Sequence, residues 1–481
     1  MKQPDEKPGG PSVAIVGGGL AGMAAAVAAT EHGLRVELFE RRKQLGGRAG
    51  SFHDPRIGRP IDYCQHVAMG CCTNLIDFCR RTGIDGSFQR HTDLHFFGPN
   101  GKRSDFVPAG WLPAPLHLFP ALMRLGYLSL RERLGIARAL SQLARDPVAR
   151  DDDSGSTIGQ WLRQHGQSDR ALERFWSVVL VSALSETVDR ASTAAARKVF
   201  VDGFVASREA YELEIPELPL SDLFDRRLGA WLTQHEVTVH RSTPIRQVDG
   251  DATRATGVIL ADATCRKFDF VVVAVPWHRI GRLLSEPLRA AMPNLSEVES
   301  IPSAAITAVH LWFDRPITEL PHAVLVGKLS QWLFNGRRQD TILGSGERGH
   351  YYQVVISAAH NLNVRDRTKT VAKVREELAE VFPDARAAQL LHWRTTTQPA
   401  AVFSVRPGLD RVRPTQQTPV KNLALAGDWT ATGWPATMEG AVRSGYLAIE
   451  AILRSQGKEQ PVLAPDLPRS RLARLLFGNP V

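Results

Sequence analysis

The chain has 481 residues, 43% of them apolar, which is enough for about three domain-sized units, and no apolar run reaches the ~18 residues that a membrane span needs. The formal charge of +9 is spread along the sequence without a long basic block. This pattern fits a solvated surface or attraction to an anionic membrane, and it gives no sign of nucleic-acid binding. The five cysteines are odd in number and form no C-x-x-C pair, so we expect reduced thiols of a cytoplasmic protein, neither a disulfide framework nor a metal site.

The first predicted elements are a buried strand, an alanine-rich helix over 20–30 and a second strand, in the stretch SVAIVGGGLAGMAAAVAATEHGLRVELFE. The glycines follow the pattern G-x-G-x-x-G, which allows a tight turn, a close approach of backbone to a pyrophosphate and close packing of helix on strand. The phosphates would meet the positive end of the helix dipole, and Glu40 can accept hydrogen bonds from a ribose. The nucleotide-binding residues predicted here are Gly17, Gly19, Leu20, Ala21, Gly22, Glu40 and Arg41.

A second motif, ERRKQLGGRAGSF, helps to decide which dinucleotide is bound, because the glycine pattern alone does not separate NAD from FAD. Gly46 and Gly47 give a tight turn that can aim Arg48 back at the pyrophosphate. From this motif onward the chain resembles the flavin-containing amine oxidase and phytoene desaturase superfamily, whose second motif is R-x-G-G-R. The resemblance implies FAD and an α/β fold, with a Rossmann-like FAD-binding domain of the GR2 type and an interleaved α+β substrate domain of mixed sheet and helices.

The stretch LALAGDWTATGWPATMEGAVRSGYLAIEAIL near the end of the chain carries the same resemblance. It implies that Asp428 contacts the ribityl or phosphate region, and that the following helix begins against the pyrimidine side of the flavin. A helix N-terminus suits this place because reduced flavin is negatively charged there. In addition, Ile245 would offer its backbone to the adenine. The residues assigned to FAD by resemblance are Gly47, Arg48, Gln65, His66, Ile245, Gly427, Asp428, Met438, Glu439 and Ala441.

These motifs divide the chain into interleaved segments. We expect residues 10–80, 235–300 and 405–455 to form the FAD-binding domain. Residues 81–234 and 301–404 would form the substrate-binding domain, and residues 456–481 a C-terminal tail.

Three phrases narrow the resemblance further: PIDYCQHVAMGCCTNLIDFCRRTGI, LSQWLFNGRR and AGDWTATGWPATMEGAVRSGYLA. Together they resemble the hydroxysqualene dehydroxylases, a squalene-associated, FAD-dependent, desaturase-like family of bacterial hopanoid biosynthesis. The resemblance implies an oxidoreductase that delivers hydride from reduced flavin N5 to an allylic carbon of hydroxysqualene and so yields squalene. Amine oxidation is disfavoured because the strand 301–316 has no lysine, and Ala308 falls where many amine oxidases place one.

A lipophilic substrate of this kind implies a membrane surface as a partner, contact with upstream enzymes of the squalene pathway, and a cytoplasmic protein that is peripheral on the inner face of the cell membrane. The segment 106–130 mixes Trp, Leu, Phe and Pro with few charges, so it would lie on a membrane without crossing it, or else pack within the substrate domain. The tail 469–481 alternates arginine with leucine, which fits either a surface anchor or a docked C-terminus.

The predicted catalytic residues are His66, as the acid that protonates the leaving hydroxyl, and Asp62, which would hold or tune it. The alternative is that both residues are structural. Four aromatic residues would either line the substrate slot or pack in the core: Trp312, Trp332, Phe334 and Tyr352. The alternative functions are a desaturase or isomerase of carotenoid-like polyenes that runs hydride into oxidised FAD, an amine oxidase, and a non-catalytic FAD-binding scaffold.

Overall fold

The computed structural model describes residues 10–146, 155–336, 341–343, 346, 348–359 and 366–477. Its strands are, in chain order, β1 Ser12–Val16, β2 Arg35–Phe39, β3 Ser51–Asp54, β4 Arg59–Asp62, β5 Ala68–Met69, β6 Phe88–His91, β7 Leu94–Phe97, β8 Arg103–Phe106, β9 Leu213–Pro216, β10 Thr238–His240, β11 Ile245–Gly250, β12 Ala255–Leu260, β13 Cys265–Lys267, β14 Phe270–Val273, β15 Ser303–Phe313, β16 His322–Leu325, β17 Trp332–Asn335, β18 Thr341–Ile342, β19 Arg348–Ile356, β20 Leu390–Phe403 and β21 Leu423–Leu425. Its α-helices are α1 Leu20–Glu31, α2 Thr73–Arg81, α3 Phe119–Met123, α4 Leu130–Arg145, α5 Ile158–Gln164, α6 Asp169–Ala171, α7 Ser177–Leu184, α8 Thr193–Arg197, α9 Leu228–Gln234, α10 Ile280–Leu283, α11 Glu286–Ala290, α12 Leu295–Ser300, α13 Arg367–Val381, α14 Asp384–Ala387, α15 Leu409–Val412, α16 Met438–Ser455 and α17 Arg471–Phe477.

A five-stranded parallel sheet, in the order β10-β2-β1-β14-β21, brings together three distant parts of the chain. Its central strands are short apolar runs, SVAIV in β1 and FVVV in β14, and they are almost wholly buried. Continuous apolar strands of this kind are typical of parallel sheets that are covered on both faces. The helix α1 crosses from β1 to β2, which gives the β-α-β unit predicted from the glycine-rich turn.

A second, mixed sheet of eight strands has the order β20-β15-β19-β17-β16-β7-β8, with β18 on the edge of β19. Only the β16–β7 pair in it is parallel, among the pairings of the described strands. Smaller antiparallel sheets join β11-β12-β13, β3-β4 and β5-β9-β6. The predicted α/β class, a Rossmann-like part with an interleaved part of mixed sheet and helices, is confirmed.

The two helices from opposite ends of the chain, α1 and α16, pack backbone against backbone. Ten of the twelve residues of α1 are buried, and most of them are alanine. On α16, a Cβ added at Gly445 would lie 2.3 Å from the carbonyl oxygen of Ala21 and 2.7 Å from the amide nitrogen of Ala25. Small residues on both sides therefore set the separation of the helices, and this separation fixes where the two helices begin.

Replacement of Gly445 by alanine should force α1 and α16 apart, because the new methyl group meets main-chain atoms that no rotamer change can move. Overpacking of this kind typically costs about 1–3 kcal/mol, and we expect a loss of that size in the free energy of unfolding measured in urea.

Gly135→Ala in α4 is a matched control, because it is also a helical glycine and the added Cβ there meets no atom closer than 3.6 Å. The control should be neutral or stabilising, since alanine is favoured over glycine in a helix by about 1 kcal/mol. Equal stability of the two variants would contradict the close contact of α1 and α16.

Candidate functional site

A cavity of about 1160 Å³ lies where the beginnings of α1 and α16 meet the mixed sheet. It is larger than the ~300–1,000 Å³ typical of a pocket for one small molecule. Most of the predicted site residues line it: Gly17, Gly19, Leu20, Ala21, Glu40, Arg41, Gly47, Arg48, Gln65, His66, Ile245, Gly427, Asp428, Met438, Glu439 and Ala441. Two predicted residues, Gly22 and Asp62, are not among its lining residues.

The glycine-rich turn leaves an open cradle at the start of α1. Gly19 is the residue before the helix, and no side chain caps the first amide groups. A Cβ at Gly19 would meet no protein atom closer than 4.0 Å, so a side chain there would fill the cavity. Gly22 has the opposite role, because its Cβ would lie 1.9 Å from the carbonyl oxygen of Gly17. The uncapped amides and the open face of Gly19 fit a pyrophosphate.

Glu40 is fixed by backbone amides at the end of β2. One carboxylate oxygen accepts from Gly18 N and the other from Arg42 N, each at 2.8 Å. A carboxylate has about four acceptor positions, so capacity remains for ribose hydroxyls. The next residue, Arg41, has its pKa lowered by burial and by the nearby cation of Arg279. This end of the cavity therefore combines hydrogen-bond acceptors for a sugar with positive charge for phosphates.

The second glycine turn packs on the first and directs Arg48 to the other end of the chain. Gly47 has φ +62°, and a Cβ on it would lie 3.1 Å from Gly19 Cα. Arg48 then donates from Nη2 to Asp428 Oδ1 at 2.5 Å and from Nη1 to the Ala401 carbonyl at 2.8 Å. The guanidinium predicted to aim at the pyrophosphate lines the cavity, but it also ties the second motif to the C-terminal one.

The helix α16 begins at the cavity with Met438, and Thr437 caps it through its side chain. The side chain of Glu439 leaves the cavity for the start of α2, where it accepts from Asn74 N at 3.2 Å and from Leu75 N at 2.7 Å. Burial raises the pKa of this carboxyl. The first turn of α16 therefore presents backbone groups to the cavity, and the carboxylate of Glu439 holds α2 in place.

Arg413 organises the loop before α16, and sequence reasoning missed it. Its Nη2 donates to the carbonyls of Asp428, Thr430 and Trp434 at 3.0, 2.6 and 2.8 Å. The side chain is almost fully buried. No motif marks this arginine in the sequence, because its partners are main-chain carbonyls whose loop conformation the sequence does not specify.

The two predicted catalytic residues have different surroundings. Asp62 is buried behind the cavity wall, where its Oδ1 accepts from Ser51 Oγ at 2.6 Å and Leu220 N at 2.8 Å, and burial raises its pKa to about 7. His66 lines the cavity and donates from Nδ1 to the Cys64 carbonyl at 2.9 Å, and burial lowers its pKa. Among the described contacts no hydrogen bond joins Asp62 to His66, so the partners of Asp62 are structural ones.

Most of the rest of the cavity is lined by apolar side chains. Of the four aromatic candidates, Trp332 and Phe334 line it, whereas Trp312 and Tyr352 are buried in separate core clusters. The other side chains that form this apolar arm include Leu94, Phe96, Leu118, Leu122, Phe175, Val178 and Phe200. A long hydrocarbon could lie against these side chains.

A lysine that sequence reasoning missed also lines the cavity. Lys198 begins the π-helical segment Lys198–Val205, and its Nζ lies 4.6 Å from the centroid of the Trp434 ring. The same ammonium pairs with Asp202 at 3.0 Å. Ala308 of β15, which by resemblance takes the place of the lysine of many amine oxidases, is buried and does not line the cavity. In the sequence, the only sign of this residue is a single lysine beside an apolar run.

Comparison with known proteins gives a family and several relatives. The family model described as flavin containing amine oxidoreductase matches residues 20–453. The zeta-carotene desaturase of Synechocystis sp. is 27% identical over 487 aligned positions, covering 93% of this chain and 98% of that protein. The hydroxysqualene dehydroxylase of Zymomonas mobilis is 26% identical over 447 positions, covering 91% and 98%.

Solved structures with the same fold include an oxidoreductase from Methanosarcina mazei, with a TM-score of 0.70 and 18% identity, covering 91% of this chain and 100% of that one. A putrescine oxidase bound to putrescine has a TM-score of 0.64 and 18% identity, covering 92% and 98%. At this identity the likeness concerns the fold.

Replacement of Gly19 by alanine should abolish flavin binding and leave the fold intact, because the added methyl group projects into the cavity and contacts no protein atom within 4.0 Å. The measurement is the ratio of flavin to protein absorbance after purification, together with the urea unfolding of the apoprotein. Gly86→Ala, at an exposed glycine with open space around it, is the control and should retain flavin. A Gly19→Ala variant that still purifies with full flavin would contradict the cradle.

Proposed function

The chain belongs to the flavin-containing amine oxidoreductase family and binds FAD, and we propose that it removes the hydroxyl group of hydroxysqualene by reduction to give squalene. The observation that supports this most is the division of the cavity. Besides the residues assigned to FAD, the cavity holds two candidate proton donors, His66 and, beside Trp434, Lys198, and most of the remainder is an apolar arm. A hydrocarbon with one hydroxyl group matches both parts.

Substrate binding would come from burial of the hydrocarbon in the apolar arm. Each buried methylene contributes about 0.8 kcal/mol, so a long chain needs no charged contact. A substrate of this kind resides in lipid. We therefore propose that the protein works as a peripheral protein at the inner face of the cell membrane, next to the enzymes that supply hydroxysqualene.

The reaction needs a proton on the leaving oxygen, because hydroxide is a poor leaving group and water is a good one. When bound, reduced FAD supplies the hydride. The neutral form of His66 donates its Nδ1 proton to the Cys64 carbonyl, which leaves Nε2 as an acceptor. Burial lowers the pKa of His66 and so disfavours its protonated form. We therefore propose Lys198 as the proton donor, with His66, the donor favoured by the sequence, as the alternative.

Desaturation of a carotenoid-like polyene is the second candidate, since the relatives include zeta-carotene desaturases of similar identity. The apolar arm would suit such a substrate equally well. Hydride removal from a hydrocarbon requires no acid, however, and the ammonium of Lys198 would then have no part in the chemistry. Amine oxidation has less support, because β15 brings no lysine to the cavity.

Anaerobic reaction of the photoreduced, FAD-loaded protein with hydroxysqualene should restore the absorbance of oxidised flavin and yield squalene. The oxidised protein mixed with zeta-carotene should show no bleaching. Bleaching of the oxidised flavin by zeta-carotene, without any reaction of hydroxysqualene, would favour the desaturase. If neither substrate changes the flavin absorbance at full flavin content, the result would favour a non-catalytic scaffold.

Lys198→Met should lower the turnover of hydroxysqualene by on the order of 10²-fold at unchanged flavin content, the usual effect of removing a general acid. The variant should fold, because Asp202 keeps Arg469 as a partner at 3.3 Å. Lys328→Met is the matched control, since Lys328 pairs with Glu380 away from the cavity and its loss should leave turnover unchanged.

The pH profile separates the two donors. If protonated His66 were the acid, turnover would fall as pH rises through a pKa below 6.5, and His66→Gln would remove both the activity and this dependence. A profile without this fall would favour Lys198 as the donor. Turnover that falls as pH rises within the range below 6.5, together with a fully active Lys198→Met variant, would overturn the assignment to Lys198.

A further inference from the structure

The apolar arm of the cavity reaches the surface between three elements. Leu116 and Phe119 both line the cavity and are exposed to solvent, by 43% and 41%. Leu140 of α4 and Leu476 of α17 line the same arm. Side chains that belong at once to the lining and to the surface mark a mouth, so the cavity opens beside α3, α4 and α17.

Exposed apolar side chains are concentrated around this mouth. Among the described residues, six of the seven large apolar side chains that are exposed lie in segments 111–134 and 471–477, and Ile342 is the seventh. The six are Trp111, Leu116, Phe119, Leu130, Leu134 and Leu475. Trp111 and Leu475 are each 81% exposed and do not line the cavity. Large apolar side chains exposed together mark a site of interaction.

The three elements form one continuous surface, although they are distant in sequence. Arg145 of α4 donates from Nε to the Leu476 carbonyl of α17 at 3.1 Å. Just before α17, the hydroxyl of Ser470 donates to the carbonyl of Ala114, which joins the C-terminal segment to the loop that carries Trp111. The last predicted tail residues, 478–481, lie outside the described residues.

The same surface is strongly basic. Residues 111–145 and 471–477 contain seven arginines and a single acid, Glu132. The carboxylate of Glu132 is occupied by the backbone and hydroxyl of Ser129 at 2.7 and 2.8 Å. Five exposed arginines have side chains without a hydrogen bond or ion pair in the described part of the chain: Arg124, Arg131, Arg138, Arg471 and Arg474. These five arginines and the six apolar side chains are the rim surface.

We propose that the rim surface binds the anionic face of a lipid bilayer, with its apolar side chains inserted among the acyl chains and its arginines on the headgroups. No helix in the described ranges is both long and apolar enough to cross a bilayer, so the contact is interfacial. Tryptophan and arginine are the residues suited to that depth. The role of this contact rests on the proposed function: it would let a lipophilic substrate enter the cavity directly from lipid.

The charge pattern argues against a second copy of the chain as the occupant. A two-fold interface would bring identical surfaces together, and the unpaired arginines of one copy would face those of the other. Anionic headgroups would instead supply negative charge to these arginines.

The test uses the full FAD-loaded chain and sedimentation with vesicles of phosphatidylcholine alone or with about one third phosphatidylglycerol. The protein should sediment with the anionic vesicles and be released by salt, because headgroup attraction is screened. Arg131→Gln with Arg138→Gln should weaken this binding by roughly tenfold or more, and Trp111→Gln with Leu475→Gln should also weaken it. Ile342→Gln, at the exposed apolar residue elsewhere, is the control and should bind like the wild type.

Failure of the wild type to bind anionic vesicles, or equal binding by all variants, would overturn the proposal. A dimer of the wild type that Trp111→Gln with Leu475→Gln dissociates would instead identify the rim surface as an interface between copies. Measurements of turnover distinguish failure of the membrane proposal from failure of the proposed function. The rim variants should convert hydroxysqualene normally in detergent and slowly from vesicles, whereas vesicle binding without any conversion would refute the function and leave the membrane surface standing.

Discussion

The candidate cofactor site depends on the backbone contact between α1 and α16. Each helix begins at the cavity, and the glycine and alanine residues between them set how close the two beginnings come. The ion pair of Arg48 with Asp428 joins the same two ends of the chain, and Asp428 is only 3% exposed. An ion pair with a buried partner is screened little by solvent, and loss of either side would leave an uncompensated charge. Packing and charge therefore fix the same geometry.

Around the cavity, buried carboxylates hold neighbouring segments together by accepting hydrogen bonds from their backbone amides. Glu40 accepts from the amide of Gly18, Asp62 from that of Leu220, and Glu439 from those at the start of α2. A buried carboxylate is costly unless hydrogen-bond donors surround it, and backbone amides are donors that cannot move away. This explains why two carboxylates expected at the site, Asp62 and Glu439, have structural partners.

Local patterns predicted the parts of the site that are local in sequence. The glycine turn, α1 and Glu40 lie within one β-α-β unit, and the sequence spacing determined their geometry. The FAD assignment is confirmed, as is the α/β class. Other parts of the site depend on contacts between distant segments, so no local pattern reveals them. Examples are the hydrogen bond from Arg48 to the Ala401 carbonyl and the position of Lys198 at the cavity. The alternation of side chains along a strand has the same limit. When both faces of a sheet are buried, it does not indicate which face lines a cavity.

The polarity of the cavity also bears on how a product would leave. On the proposed reaction, the hydroxyl lies at the FAD end near Lys198 and the hydrocarbon extends along the apolar arm towards the rim surface. Loss of the hydroxyl removes the hydrogen bond to a charged group, worth about 1.5–3 kcal/mol. Lys198 is then a neutral amine, and its side chain is 24% exposed, so solvent can return the proton and restore the pair with Asp202. The reaction would therefore weaken the binding of its own product, and a bilayer at the mouth would receive a hydrocarbon that has lost its only polar interaction with the protein.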